Sequence, residues 1–301
     1  MLPGRRIQKI ILILELVLLF IQNVSAFQII LPYQKSLSSS RITKILVSPT
    51  DESSLSSSAT ASSNEETDDN FVLRQKKKDD LLEAISKNAI NGVTENDESK
   101  ILLDDLTRRL EEMNPTINPA RSEIVEGTWR VQYSTAPPPS NGRLGPLVGT
   151  ALQSVDLKNG LYANELLVGD NTDNPWLSAV LLADWDEILL NDNNYQWKVN
   201  FRTISLRLFG RKLFTKEFDE GTSRIWITTY IDDTMRIVRA GVTESEAKRL
   251  GKSADQSDYY LFVMTRDNKA RKVLGDIIPP PPKATLFDVL ADPAKFMDDD
   301  D

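Results

Sequence analysis

Residues 225–241 read Ile-Trp-Ile-Thr-Thr-Tyr-Ile-Asp-Asp-Thr-Met-Arg-Ile-Val-Arg-Ala-Gly. Two apolar-rich runs flank an acidic pair, and the second run carries two arginines. Side chains alternate across a strand. Ile225, Ile227 and Thr229 are therefore predicted on one face, and Trp226, Thr228 and Tyr230 on the other. Asp232-Asp233-Thr234 is polar enough to turn the chain, because Asp side chains bond their own backbone. Met235, Ile237 and Arg239 then alternate with Arg236, Val238 and Ala240, which predicts a returning partner strand.

The same alternation recurs on both sides of this hairpin. Upstream, Glu126 to Tyr133 reads as a strand with Gly127, Trp129, Val131 and Tyr133 on one face. Pro137-Pro138-Pro139 has to leave the sheet, since proline offers no amide hydrogen. Leu144 to Gly149 is apolar yet loop-like. It reads as a flap over a cavity mouth, a lipid contact, or a loop packed on the sheet. Gln153, Val155 and Leu157 alternate up to Lys158-Asn159-Gly160, and Asn-Gly is a strong hairpin signal. Leu161 to Val168 returns. The apolar segment from Trp176 to Trp185 fits either a strand or a short helix. Ile188 to Leu190 reads as a strand, Asn191 to Asn194 as a turn, and Tyr195, Trp197, Val199 and Phe201 share a face of the next strand. Ile204, Leu206 and Leu208 continue the pattern, and Tyr260, Phe262 and Met264 close it. Many short alternating strands joined by local turns predict a mainly β protein built on an antiparallel barrel. The inward face of such a barrel is either filled by side chains or holds one small ligand.

A helical pair precedes the sheet, over 79–114. Leu81, Leu82, Ile85 and Ala89 recur at helical spacing behind Asp79 and Asp80, and Asn91-Gly92 ends that helix. Thr94 is placed to cap the second helix, whose apolar stripe is Leu102, Leu103, Leu106, Leu110 and Met113. Asn114-Pro115 stops it. The pair is expected to cover one opening of the sheet. The alternative is an interaction or membrane-facing surface.

The 301-residue chain has a formal net charge of -8 and contains neither cysteine nor histidine. Disulfides, thiolate or imidazole metal ligands, Ser-His-Asp and Cys-His nucleophiles and imidazole bases are therefore excluded. Net acidity argues against nonspecific nucleic-acid binding. Asp232 and Asp233 are neighbours and would face opposite ways on a strand, a poor acid/base pair. No enzyme and no cofactor is expected.

The ends read as address and tail. Residues 1–26 have a basic leader (Arg5, Arg6, Lys9), an apolar core and Val24-Ser25-Ala26, the composition of a signal peptide. The apolar run is shorter than the roughly 18 residues a spanning helix needs. Residues 27–50 are Ser-rich, with Lys35, Arg41 and Lys44 and no acid, as in transit peptides. The join at Ser25-Ala26-Phe27 resembles the bipartite plastid presequence of diatoms and related algae. Residues 27–70 thus read as transit sequence and Ser/acid-rich linker, and 269–301 as a Pro-rich, acidic, disordered tail.

Tyr230-Ile231-Asp232-Asp233, Arg236-Ile237 and Arg239 resemble the C-terminal signature of the plastid lipid-associated protein family, the fibrillins. Leu110 to Thr116 resembles the family's helical lead-in, and Gly127-x-Trp129 also occurs in lipocalins, where the Trp closes one end of the barrel. Ile231, Met235 and Ala240 depart from the signature, and Val242 to Asp258 delays the last strand. The resemblance implies a domain over 71–268, with a lipocalin-like barrel over 124–268. It further implies association with thylakoids or plastoglobules and binding of carotenoids, fatty acids or prenylquinones. A scaffold for a plastid lipid-biosynthesis enzyme is the other role it allows. The candidate ligand-binding residues are Trp129, Tyr133, Trp197, Phe201, Tyr230, Asp232, Arg236, Arg239 and Phe262. Aromatic rings would hold an apolar tail, and an arginine fork would hold a headgroup. The bland alternative is a turn held by its acidic residues Asp232 and Asp233, with Arg236 and Arg239 bonding carboxylates or backbone carbonyls.

Overall fold

A computed structural model describes residues 68–88, 96–169, 172–191, 194–243 and 259–268. The expected tail and residues 1–67 of the expected presequence and linker lie outside the described residues, as do Ala89, Asn91-Gly92, Thr94 and the insertion after Thr243; residues 68–70, expected as linker, are helical.

Two helices, α1 (Asp68–Asn88) and α2 (Asp97–Glu111), precede the sheet. Then come β1 (Gly127–Ser134), β2 (Arg143–Leu144), β3 (Leu147–Val148), β4 (Thr150–Asp156), β5 (Leu161–Val168) and β6 (Leu177–Asn191). The set is completed by β7 (Asn194–Leu208), β8 (Arg211–Glu217), β9 (Ser223–Ile231), β10 (Met235–Val242) and β11 (Tyr260–Arg266). Apart from the short β2–β3 hairpin and β8, each strand pairs antiparallel with the next, and β11 returns to β1. The result is an eight-stranded closed barrel of up-and-down, lipocalin-like topology, which leaves no free edge in the ring. β8 extends the far half of β7, pairing with Thr203 to Leu208.

Local chemistry sets these connections. Gly160 takes a φ of 62° in the β4–β5 turn, where the Asp156 carboxylate accepts the Asn159 amide at 3.0 Å. The Asp232 carboxylate makes the β9–β10 turn, accepting the amides of Thr234 and Met235, both at 2.8 Å.

The segment 176–185 resolves as strand: β6 runs unbroken through Ile188 to Asn191, with no separate strand there. The Leu144–Gly149 stretch is not a plain loop. It forms the β2–β3 hairpin, and Leu144 is buried against the barrel core.

The helices depart from expectation in three ways. The first begins at Asp68, so Asp79 and Asp80 lie inside it rather than at its start. The cap of α2 is Asn96, whose side chain accepts from Glu98 and Ser99. Leu102 points to solvent, so the buried stripe is Leu103, Thr107 and Leu110.

Nor do the helices cover a barrel opening. Leu81, Ile85, Leu103 and Leu110 pack on Tyr133, Tyr230, Met235, Ile237, Leu261 and Val263. These residues lie on the outer wall of β1, β9, β10 and β11, and form a second core separate from the barrel interior.

Two irregularities explain how tyrosines reach that outer core. Strict alternation would put Tyr133 with Trp129 and Val131, and Tyr230 with Trp226. The register between β1 and β11 slips between Val131 and Tyr133, and that between β9 and β10 slips at Thr229. An extra residue in one strand flips every later side chain to the other face. Both tyrosines therefore face the helices, contrary to the simple alternation. A third slip, at Arg202, keeps both Phe201 and Ile204 inside.

Candidate functional site in the barrel interior

The interior is lined largely by rings. Trp226 stacks on Phe262 with centroids 5.4 Å apart and meets Tyr162 edge-on at 5.0 Å. Trp197 stacks on Trp185 at 4.5 Å, and Phe201 meets Phe218 at 5.5 Å. Such geometries suit the ring quadrupoles.

One end is closed by Trp129. Its indole N–H donates to the Val125 carbonyl at 3.0 Å. The Arg266 guanidinium lies 4.1 Å from the centroid of the same ring. Arg266 also donates to the carbonyls of Asp233 and Glu126 at 2.8 Å each, and to that of Ile124. One arginine thus ties the β9–β10 turn to the chain entering β1. Gly127, with φ 113°, makes room: a Cβ there would stand 3.0 Å from the Arg266 side chain.

The Asp/Arg cluster that looked compact in sequence is divided by the barrel wall. Asp232 lies on the helix side. Its carboxylate accepts from Lys78 Nζ at 2.8 Å and from the Tyr230 hydroxyl at 2.5 Å, besides the turn amides. Burial alone would raise its pKa. Lys78, the Tyr230 hydroxyl and the Thr234 amide outweigh that and hold it at about 2. Arg239 is also on the helix side, bonded to both oxygens of Glu111 and to Asp104. Asp232 serves the turn and Arg239 the helix dock, whereas Arg236 bonds no carboxylate or carbonyl of the described residues. Tyr133 and Tyr230 stand with Asp232 and Arg239, leaving Trp129, Trp197, Phe201, Phe262 and Arg236 in the interior.

Arg236 differs from the others. It shares the inward face of β10 with Val238 and Ala240 and has 0% exposure. Nε, Nη1 and Nη2 find no hydrogen-bond partner among the described residues. Its guanidinium carbon lies 5.4 Å from the Trp197 centroid. Burial pulls its pKa down to about 10, with Tyr162 opposing and Arg266 adding to the drop. It still carries its charge at neutral pH. An unpaired buried cation costs several kcal/mol even after relaxation.

Other polar atoms share this interior. Gln153 pairs across the sheet with Trp129 on one side and Asn164 on the other. It is fully buried, and neither its amide oxygen nor its nitrogen has a partner. The Trp197 indole N–H is likewise unpaired. The Tyr162 hydroxyl donates to Asn164 Oδ1 at 2.5 Å. Asn164 also lines a small pocket whose wall includes Pro139, Ser140, Glu165, Leu166, Leu181 and Ile204. Its volume is about 20 Å³, room for a water-sized group. The nine candidates picked from sequence omit Gln153, Tyr162 and Asn164. The available signal was a polar residue at an inward parity position, Gln153 two places before Val155.

Residues 75–174 match the PAP_fibrillin family model. That segment, about a third of the chain, is similar to the fibrillin family. The chain is also 35% identical over 57 residues to the probable plastid-lipid-associated protein 5, chloroplastic, of Arabidopsis thaliana. That alignment covers 19% of this chain and 24% of the relative. The family match ends within the first half of the barrel, so it covers Gln153, Tyr162 and Asn164 but not Arg236.

Proposed function

We propose that this protein is a fibrillin, a plastid lipid-associated protein whose barrel receives an apolar small molecule. Carotenoids, fatty acids and prenylquinones are the candidate classes. Its place is the surface of thylakoids or plastoglobules, reached through the signal and transit peptides. The reading assigns no catalysis. Asp232 is committed to the β9–β10 turn and Arg239 to α2, so neither is free to act on a substrate.

The observation that carries this reading is the unsatisfied polar set inside an aromatic barrel: Arg236, Gln153 and the Trp197 N–H. Small-molecule sites combine an apolar lining with a few convergent polar groups. Native interiors rarely leave such groups unpaired unless something else pairs them. The plastid and lipid assignment draws on the printed name of the Arabidopsis relative.

A second reading is a scaffold for a plastid lipid-biosynthesis enzyme. It is favoured by the small interior pocket and by a wide outer groove of about 760 Å³. Asp104, Arg108, Ile227, Tyr259 and Leu261 are among the groove's lining residues. Extraction of the protein from its native membranes, followed by mass spectrometry of bound lipid, separates the two. A stoichiometric lipid or pigment supports the carrier. A lipid-free protein that arrives with a bound enzyme supports the scaffold.

A further inference from the structure

We propose that the barrel interior is a receptor for a carboxylate, held by Arg236 and Gln153 beside the Tyr162–Asn164 pair. This rests on the reading that the barrel takes a ligand, and it narrows the ligand's chemistry.

The argument starts from complementarity. A guanidinium presents five N–H donors in a planar fork that fits the two oxygens of a carboxylate. On Arg236 every donor atom is unpaired, on a residue with no exposure to water. No carboxylate of the described residues reaches it. The acids nearest in sequence, Asp232 and Asp233, belong to a turn outside the wall. Among the described residues nothing supplies the anion, which points to a ligand.

Gln153 adds an amide N–H₂ donor, and Trp197 an indole N–H, both without partners. The Tyr162 hydroxyl is engaged with Asn164, which opens onto the small pocket. Trp197 is the donor shown beside Arg236, and Gln153, on the same interior, brings an unpaired amide oxygen as well as its N–H₂. A neutral carotene offers no acceptor. A quinone offers a carbonyl oxygen that cannot neutralise the charge. A carboxylate does both.

The pocket beside Asn164 has room for a water-sized group only, and Glu165 in its lining disfavours an anion there, so the carboxylate is assigned to the Arg236 fork and not to that pocket. Two sources can present the carboxylate: the head of an amphiphile whose chain displaces the apolar lining at Leu166, Leu181 and Ile204, or a small free acid.

The test uses the full-length protein freed of bound lipid. Tryptophan emission reports on Trp197, and the titrants are decanoate, decan-1-ol, a decyl-substituted benzoquinone and acetate. Decanoate is expected to bind roughly ten- to a hundred-fold tighter than decanol, the difference made by a charge-assisted hydrogen bond. Arg236→Gln should abolish that preference and Arg236→Lys should keep part of it, since lysine holds the charge without the fork. Gln153→Leu should weaken decanoate more than decanol. Acetate competing with decanoate supports the site with a free acid as its source. Decanoate binding without acetate competition assigns the source to an amphiphile.

Two outcomes overturn the proposal. In the first, decanol or the quinone binds as tightly as decanoate; the lipid-carrier reading then stands while the carboxylate inference falls. In the second, ligand-free Arg236→Leu melts below the parent protein. An unpaired buried charge should instead be relieved by leucine, so its loss should raise the melting temperature. A lower value would mean that Arg236 already has a partner within the fold. If none of the four titrants binds, both readings fall.

Discussion

Arg239 and Glu111 meet as a two-pronged pair, Nε 2.9 Å from one carboxylate oxygen and Nη2 3.0 Å from the other. The same guanidinium reaches Asp104 at 2.9 Å. Both acids lie on α2 and the arginine on the outer face of β10, so this contact fixes the helix to the wall. The pair is only partly exposed, at 19% and 14%. Breaking a half-buried bidentate pair should cost about 2–4 kcal/mol, below the cost of a fully buried one. Arg239→Ala and Glu111→Ala are each expected to lower stability in urea unfolding. The double mutant should lose less than the sum of the two, because the first change already orphans the partner.

The tyrosines turned outward by the strand irregularities should behave differently from each other. Tyr133 has a buried hydroxyl without a partner among the described residues. Burial, then the nearby Asp104 charge, pushes its pKa up to about 12. Tyr133→Phe should therefore be neutral or stabilising by up to about 1 kcal/mol. The Tyr230 hydroxyl instead bonds the ionised Asp232 carboxylate at 2.5 Å. Tyr230→Phe should cost about 1.5–3 kcal/mol, the usual range for a hydrogen bond to a charge. Thermal unfolding of the two variants side by side checks the contrast.

The strand ladder was legible because its alternation is strong. The 225–241 hairpin and the Asn159-Gly160 turn read directly from local pattern. The faces of Tyr133 and Tyr230 were not legible. A bulge is a choice between two pairings of similar local energy, settled here by the apolar surface that α1 and α2 bring to the outer wall. Asp232, Arg236 and Arg239 sit close in sequence and looked like one cluster. The wall of the barrel separates them, and sequence proximity carries no information about that. Gln153 showed in sequence as a polar residue at an inward parity position, but its place between Trp129 and Asn164 appears only once β1, β4 and β5 are set side by side.

Asp232 makes the protein acid-sensitive over a defined window. Its folded pKa of about 2 lies below the ordinary 3.8. A depressed carboxylate stabilises the fold above the unfolded pKa, and the gain is lost as pH falls through the folded one. The loss should run between about pH 4 and pH 2. It should amount to about 1–2 kcal/mol, allowing for solvent screening of the Lys78 pair. Asp232→Asn should be less stable than the parent at pH 6, with the gap closing toward pH 2. A constant gap across that range would show that the side chain acts by shape and not by charge.

Gly149 and Gly160 flank β4, and their substitution should separate two reasons for a glycine. At Gly149 a Cβ would stand 2.2 Å from the Leu167 carbonyl oxygen and 2.8 Å from its carbon. The clash is with backbone on the paired strand β5, which cannot swing aside. Gly149→Ala should cost about 1–3 kcal/mol, in the range of core overpacking, and Gly149→Asn more, since the larger group adds to the same collision. At Gly160 nothing lies within 4 Å of the added Cβ, but φ is 62°. Gly160→Ala should cost about 1–2 kcal/mol through the left-handed backbone alone. Asn tolerates that conformation, so Gly160→Asn should recover most of the loss. Alanine and asparagine should thus rank in opposite orders at the two sites when melting temperatures are compared. The same order at both would mean that the close approach of Gly149 to β5 does not control the site.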